Sequence, residues 1–227
     1  MGDCFITRRG GGKPSGLYVW KKYELILPYL SFIGNEDFTL KTYNTTKNWD
    51  GMLQYSTNGS TWNTWNGTEI SSSGSKLYLR GTGNTKITGN LANCRFVFTG
   101  TAALKIACKG NIENLLDYET VSVGGHPTMA NYCYSYMFNG CIALITAPAL
   151  PATTLADSCY GYMFQGCTKI RFSTTQTGEY QTAYRIPTSG TGTTATDALS
   201  NMFANIGVTF IGTPEINTTY YTSNTVV

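Results

Sequence analysis

The chain has 227 residues, 41% of them hydrophobic, enough for one large or two small domains with real cores. Only 13% are Asp, Glu, Lys or Arg, where an ordinary soluble domain carries about 25%, and a net charge of +3 is too small to argue for nucleic-acid binding. The most apolar run, Leu25 to Ile33, contains Pro28 and is far shorter than the roughly 20 residues a membrane span needs, so membrane insertion is not expected.

Residues 1–35 read as an N-terminal arm. Gly10, Gly11 and Gly12 suit a flexible or closely packed segment, and Met1 to Lys13 holds no apolar core of the kind a secretion signal needs. Arg8-Arg9 lacks the apolar run that should follow a twin-arginine signal. The expectation is a protein made in the cytoplasm without an export signal.

Residues 36–100 have a different texture. Phe38 to Tyr43 alternates apolar and polar residues as a half-buried strand does, and Leu53 to Tyr55, Trp62 to Trp65, Lys76 to Arg80 and Arg95 to Phe98 are further strand candidates. Asn58-Gly59, Asn66-Gly67, Ser73-Gly74 and Gly81 to Gly83 separate them, and Asn-Gly between such runs signals a hairpin. A small antiparallel β domain, a sandwich, is expected here. Trp49, Trp62 and Trp65 lie in a Thr/Asn-rich part of it. If exposed, these rings beside amide side chains are candidate glycan contacts; the competing reading is core or cross-strand packing.

Residues 101–227 are organised by repetition. Cys133-Tyr-Ser-Tyr-Met-Phe-Asn-Gly-Cys141 returns 26 residues later as Cys159-Tyr-Gly-Tyr-Met-Phe-Gln-Gly-Cys167, identical at seven of nine positions. A decayed third copy places Thr193, Ala195, Ala198, Met202 and Phe203 39 positions after Thr154, Ala156, Cys159, Met163 and Phe164. The copies lie near 128–153, 154–192 and 193–227, and a fixed period of this size indicates units that stack and bury their apolar faces against one another.

Ala130, Cys133, Met137 and Cys141 are spaced three, four and four apart, which predicts one stripe of a short helix, with Thr128 at its start and Gly140 at its close. Thr154 and Gly166 repeat the pattern, and Leu144 to Pro151 should be extended. The expected core of the stack is Ala130, Cys133, Met137, Phe138 and Cys141, then Ala156, Cys159, Met163, Phe164 and Cys167, then Met202 and Phe203. Tyr134, Tyr136, Tyr160 and Tyr162 recur at repeat spacing and should form ladders, for packing or for recognition; Tyr134 and Tyr160 join the tryptophans as candidate receptor contacts. The expected fold class is mainly β with short helices: an arm, a small antiparallel β-sandwich, then a short leucine-rich-repeat-like solenoid.

The string from Cys133 through Ile142-Ala-Leu-Ile-Thr-Ala-Pro-Ala-Leu-Pro-Ala-Thr-Thr-Leu-Ala-Asp157 resembles the repeat of BspA-like leucine-rich-repeat proteins, found on bacterial surfaces and in phages of gut bacteria. Gly2 to Lys13, with Gly16 to Glu24 after it, resembles the start of tail proteins in phages and prophages of Gram-positive hosts. The resemblance implies a virion structural protein of the tail or fibre. Its arm would dock on other virion proteins, and its repeats would face a host-surface glycan or protein or decorate the particle. Fibre proteins are commonly symmetric oligomers, so a trimer is expected. The alternative home is a bacterial cell surface, as a BspA-like adhesin.

No catalytic residue comes with the resemblance, and the residues themselves supply none. His126 is the only histidine, in Gly124-Gly125-His-Pro127, and reads as a turn residue; Asp117, Glu119, Asp157 and Glu179 show no pairing for glycoside cleavage. Seven cysteines leave buried thiols or disulfides open, while a spacing of eight within each repeat argues against metal. An enzyme, a cofactor and a metal are therefore not expected.

Overall fold

The computed structural model describes residues 27–45, 47–90, 92–207 and 210–223. The fold is mainly β, with one α-helix among the described residues.

The strand candidates all form. β1 (Leu30–Gly34), β3 (Met52–Ser56), β4 (Asn63–Trp65), β6 (Lys76–Thr82), β8 (Ile106–Lys109) and β9 (Leu144–Thr146) make a six-stranded sheet in the order β4-β3-β6-β1-β8-β9. Every pairing is antiparallel except β8 with β9. β2 (Thr39–Thr42), β5 (Ile70–Ser71) and β7 (Phe96–Thr99) form a second sheet, β5-β2-β7. Rings join the two layers: Phe32 of β1 lies 5.1 Å from Phe98, and Trp65 of β4 lies 5.4 Å from Phe96. The alternation along β6 sends Leu77, Leu79 and Gly81 inward.

Two expectations about boundaries change. The proposed arm, residues 1–35, ends inside the fold, because Leu30–Gly34 is the strand between β6 and β8. Four of its five residues are buried, as an interior strand covered on both faces requires, and that explains the unbroken apolar run. Residues 1–26 lie outside the described residues. No break marks residue 100 either, since β8 and β9 belong to the same sheet as β1.

The helix α1 (Asn114–Ser122) packs on β6, with Leu115 and Leu116 buried beneath it. Asn84 ties the layers together: its amide donates to Met52 O at 2.8 Å and to Leu115 O at 3.0 Å, and its Oδ1 accepts from Gly51 N–H at 2.7 Å. A third sheet, β10-β12-β11, is made by β10 (Phe172–Ser173), β11 (Tyr180–Arg185) and β12 (Thr219–Ser223).

The repeats form no helices. Over residues 131–140 the chain runs as consecutive turns with left-handed backbone at Tyr132, Tyr136 and Gly140, and the same four-residue spacing recurs at Ser158, Tyr162 and Gly166 and at Asp197, Asn201 and Asn205. A helix cannot contain left-handed residues every fourth position. Ser135, Met137, Asn139 and Cys141 donate their N–H to the carbonyl three residues back. Tyr132, Tyr134, Tyr136, Phe138 and Gly140 instead donate to Asp157, Cys159, Gly161, Met163 and Gln165 of the next segment, at 2.7–3.0 Å. Ser158, Tyr160, Tyr162, Phe164 and Gly166 donate in turn to Thr196, Ala198, Ser200, Met202 and Ala204 of the third. The decayed copy thus lies in register with the other two.

Both ends of this pile are covered. The free carbonyls of the first segment accept from the sheet region: Cys133 O from Ile87 N–H at 2.8 Å, Ser135 O from the Thr88 hydroxyl at 2.6 Å and Met137 O from Phe96 N–H at 2.7 Å. Beyond the third segment, Phe203 N–H reaches Gly212 O at 2.8 Å and Asn201 N–H reaches the Thr213 hydroxyl at 2.9 Å. Inside, Phe138, Phe164 and Phe203 stack at 5.5 and 6.0 Å, and Phe138 also meets Phe32 and Phe96, so one core runs from the sheets into the pile.

Candidate functional site

Four of the five aromatic residues expected to touch a receptor are in the core. Trp49 and Trp65 are buried and stacked on each other at 5.3 Å, and Trp65 spends its indole N–H on Thr68 O at 2.7 Å. The cause is strand alternation: Trp65 stands opposite Leu53 on the inner face of its hairpin. Tyr134 and Tyr160 are fully buried and stacked at 5.6 Å, with the Tyr134 hydroxyl donating to Ile112 O. Neither can meet a ligand. The Met, Phe and Cys positions expected in the repeat core are buried, while Ala130 and Ala156 are half-buried.

Trp62 does reach the surface. The Arg80 guanidinium lies 4.1 Å over its ring and 4.2 Å over Tyr118, and Arg80 Nε donates to Gln54 Oε1 at 2.9 Å. Tyr29 extends the patch, 5.7 Å from Trp62 and 4.9 Å from Tyr78. The cation already occupies the tryptophan and Tyr118, so this patch is a self-satisfied cluster.

A second surface runs along the pile. The four-residue turn period buries Cys133, Tyr134, Met137 and Phe138 and leaves Tyr136 half outside, with Tyr162 at the same place one segment on. Their rings are 4.8 Å apart and 2° from parallel. Beside them are two further rows of equivalent positions, Tyr132, Ser158 and Asp197, and Ser135, Gly161 and Ser200. Together with Asn90 these residues line a slot of about 180 Å³. Ser135 donates its hydroxyl to Gly161 O at 3.0 Å; Gly161, lacking a side chain, leaves the middle of its row open. Burial and the neighbouring Tyr162 push the Tyr136 phenol above its usual pKa.

A third site lies where α1 meets the chain entering the repeats. The Glu113 carboxylate is buried, and His126 Nδ1 stands 2.8 Å and 3.1 Å from its two oxygens. Both line a cavity of about 340 Å³ with Thr128, Met129 and residues 152–156. Burial raises the Glu113 pKa and outweighs the opposing contacts from His126 and Asn111. The expected turn residue is therefore also the partner of a buried acid.

The six described cysteines are free and buried, so the disulfide reading fails for them; Cys4 lies outside the described residues. Burial pushes the thiols of Cys141 and Cys159 up to about 12, which keeps them protonated and inert. Among the described residues no group of three or more His, Cys, Asp or Glu could hold a metal, and no helix is long and apolar enough to cross a membrane.

Tyr136 and Tyr162 were legible as a ladder. Which ladder faces outward was also within reach of the helical stripe, because at about 100° per residue Tyr134 falls beside Ala130, Met137 and Cys141 and Tyr136 falls to the side of it. No family model, no curated protein and no solved structure matches the chain.

Proposed function

We propose that this chain is a bacteriophage virion structural protein, associated with the tail or fibre, that presents its repeats for host-surface adhesion or particle decoration. The finer architecture belongs to the same proposal: a small β-sandwich carrying a short leucine-rich-repeat-like solenoid whose units are turns. The observation that carries the reading is the outer face of the three in-register segments, where a half-exposed tyrosine ladder stands beside Ser, Asn, Gly and Asp and, among the described residues, no lysine or arginine lines the slot. A backbone paired from segment to segment fixes the positions of these groups, so little ordering entropy remains to oppose binding. Repetition of the chain in a trimer would multiply a weak contact into useful avidity.

The N-terminal arm would attach the chain to other virion proteins, and the partner outside would be a host-surface glycan or protein. The test is a search for this chain in purified virions by peptide mass spectrometry, with antibody labelling by electron microscopy. A labelled tail or fibre is the expected result. Absence from the particle with display on the bacterial surface would replace the proposal with a cell-surface adhesin, and light scattering at one chain mass would remove the trimer.

A further inference from the structure

We propose that the slot around Gly161 binds one uncharged sugar residue of a surface glycan. This deepens the adhesion reading, on which it rests only for the source of the glycan.

The chemistry of the lining selects the ligand class. Among the described residues no lysine or arginine lines the slot, so none of them compensates an anion there. Tyr136 and Tyr162 lie 2° from parallel and cannot wall a cation on two sides, which leaves the single Asp197 carboxylate, and no cage of rings from this pair, to hold a cationic ligand. An apolar ligand would strand the hydroxyls, amide and carboxylate that surround it. What fits is a compact molecule with one face of C–H groups and a rim of hydroxyls. Tyr136 and Tyr162 stack only on each other, so each ring keeps one face uncovered by another ring. Among the described residues the Asp197 carboxylate, the Asn90 amide and the Ser158 hydroxyl meet no hydrogen-bond partner, and they are available to sugar hydroxyls.

The room for the sugar comes from a difference between otherwise matching segments. Ser135 and Ser200 occupy the first and third places in their row, and Gly161 occupies the second. A Cβ at Gly161 would meet Ser158 O at 3.3 Å, a tight contact that the turn must ease slightly, and the Ser135 hydroxyl at 3.6 Å, so a serine there would occupy the slot; the equivalent Ser135 and Ser200 show that this turn position takes a serine. By analogy with Ser135 and Gly161 O, its hydroxyl would be placed to donate to the next segment.

The experiment follows from that difference. The full chain, labelled with ¹⁵N, is titrated separately with N-acetylglucosamine, glucose, galactose and rhamnose at millimolar concentration, and the amide signals are followed. At least one sugar is expected to shift Ser135, Gly161 and Ser200. Gly161→Ser should weaken that binding at least tenfold while the melting temperature stays within a few degrees of the parent. Asp197→Asn, which keeps a residue tolerant of left-handed backbone, should weaken it by a smaller factor and serves as the reporter if Gly161→Ser does not fold. The inference is overturned if none of the four sugars moves the slot signals, or if the folded variants bind like the parent. Detection of the chain in virions stands apart from either result, so binding without incorporation, or incorporation without binding, separates this inference from the adhesion reading.

Discussion

The sheet region and the turn pile solve the same problem, pairing backbone groups away from water, in opposite ways. In the six-stranded sheet, neighbouring strands exchange N–H and C=O in both directions, and side chains alternate with period two, as in β6. In the pile, half of the N–H groups close turns within their own segment, and the other half all point from one segment to the next, toward the C-terminal end. Each segment therefore offers only carbonyls on one side and donors on the other. The donor side of the third segment is covered at Asn201 and Phe203, whereas Asp197 and Leu199 find no acceptor for their N–H among the described residues. A one-way ladder needs a cap of matching kind at each end, and the sheet region caps the carbonyl end with donors from Ile87, Thr88 and Phe96.

Two glycines sharpen this comparison. Gly81 in β6 lies where α1 rests on the sheet, and a Cβ there would run into the Leu115 carbonyl and crowd the Asn84 amide. Neither backbone can withdraw without breaking the Asn84 bonds. Gly81→Ala is expected to cost more than about 4 kcal/mol, read as loss of the folded state in urea denaturation. Gly140 closes the first segment with φ +73, and a Cβ there meets nothing within 4 Å. Gly140→Ala should then cost only the backbone term, about 1–2 kcal/mol. Equal losses for the two variants would show that the pile is as tightly constrained at its turns as the sheet is beneath α1.

The same contrast explains what could be read in advance. The strands at 39–42, 52–56, 63–65, 76–82 and 96–99 were legible because period-two alternation and Asn-Gly turns are local signals. β1 was obscured because an interior strand shows a continuous apolar run, and β11 and β12 because short Thr- and Tyr-rich segments carry little alternation. In the repeat, the apolar spacing of Cys133, Met137 and Cys141 is a four-residue turn period, which differs from a helix by only about 0.4 residue per turn. Over two turns that difference is too small to see. Left-handed backbone at Tyr132 and Tyr136 would have separated the two, but tyrosine gives no hint of it. The candidate contacts suffered accordingly: Tyr134 and Tyr160 were named and are buried, while Tyr136 and Tyr162 are the members of the ladders that reach the surface.

The smallest expected effect concerns the joint between the two regions, where Glu113 and His126 meet. Glu113 is buried with its pKa raised from the ordinary value of 4.5, chiefly by burial. An acid whose folded pKa lies above its unfolded value holds its proton more readily in the native state. Its penalty is absent below pH 4.5 and grows as pH rises through the raised folded value, so this group makes the native protein less stable toward neutral pH. His126 returns only part of that, because its side chain is 45% exposed and solvent weakens its contact with the carboxylate. Glu113→Gln keeps an acceptor for His126 Nδ1 and removes the buried charge. The variant should match the parent below pH 4.5 and exceed it in urea midpoint at pH 7, by less than the Gly140→Ala loss. A parent that is the more stable of the two at pH 7 would mean that the His126 contact, and not burial, governs this joint, and that the sheet and the pile are held together by charge.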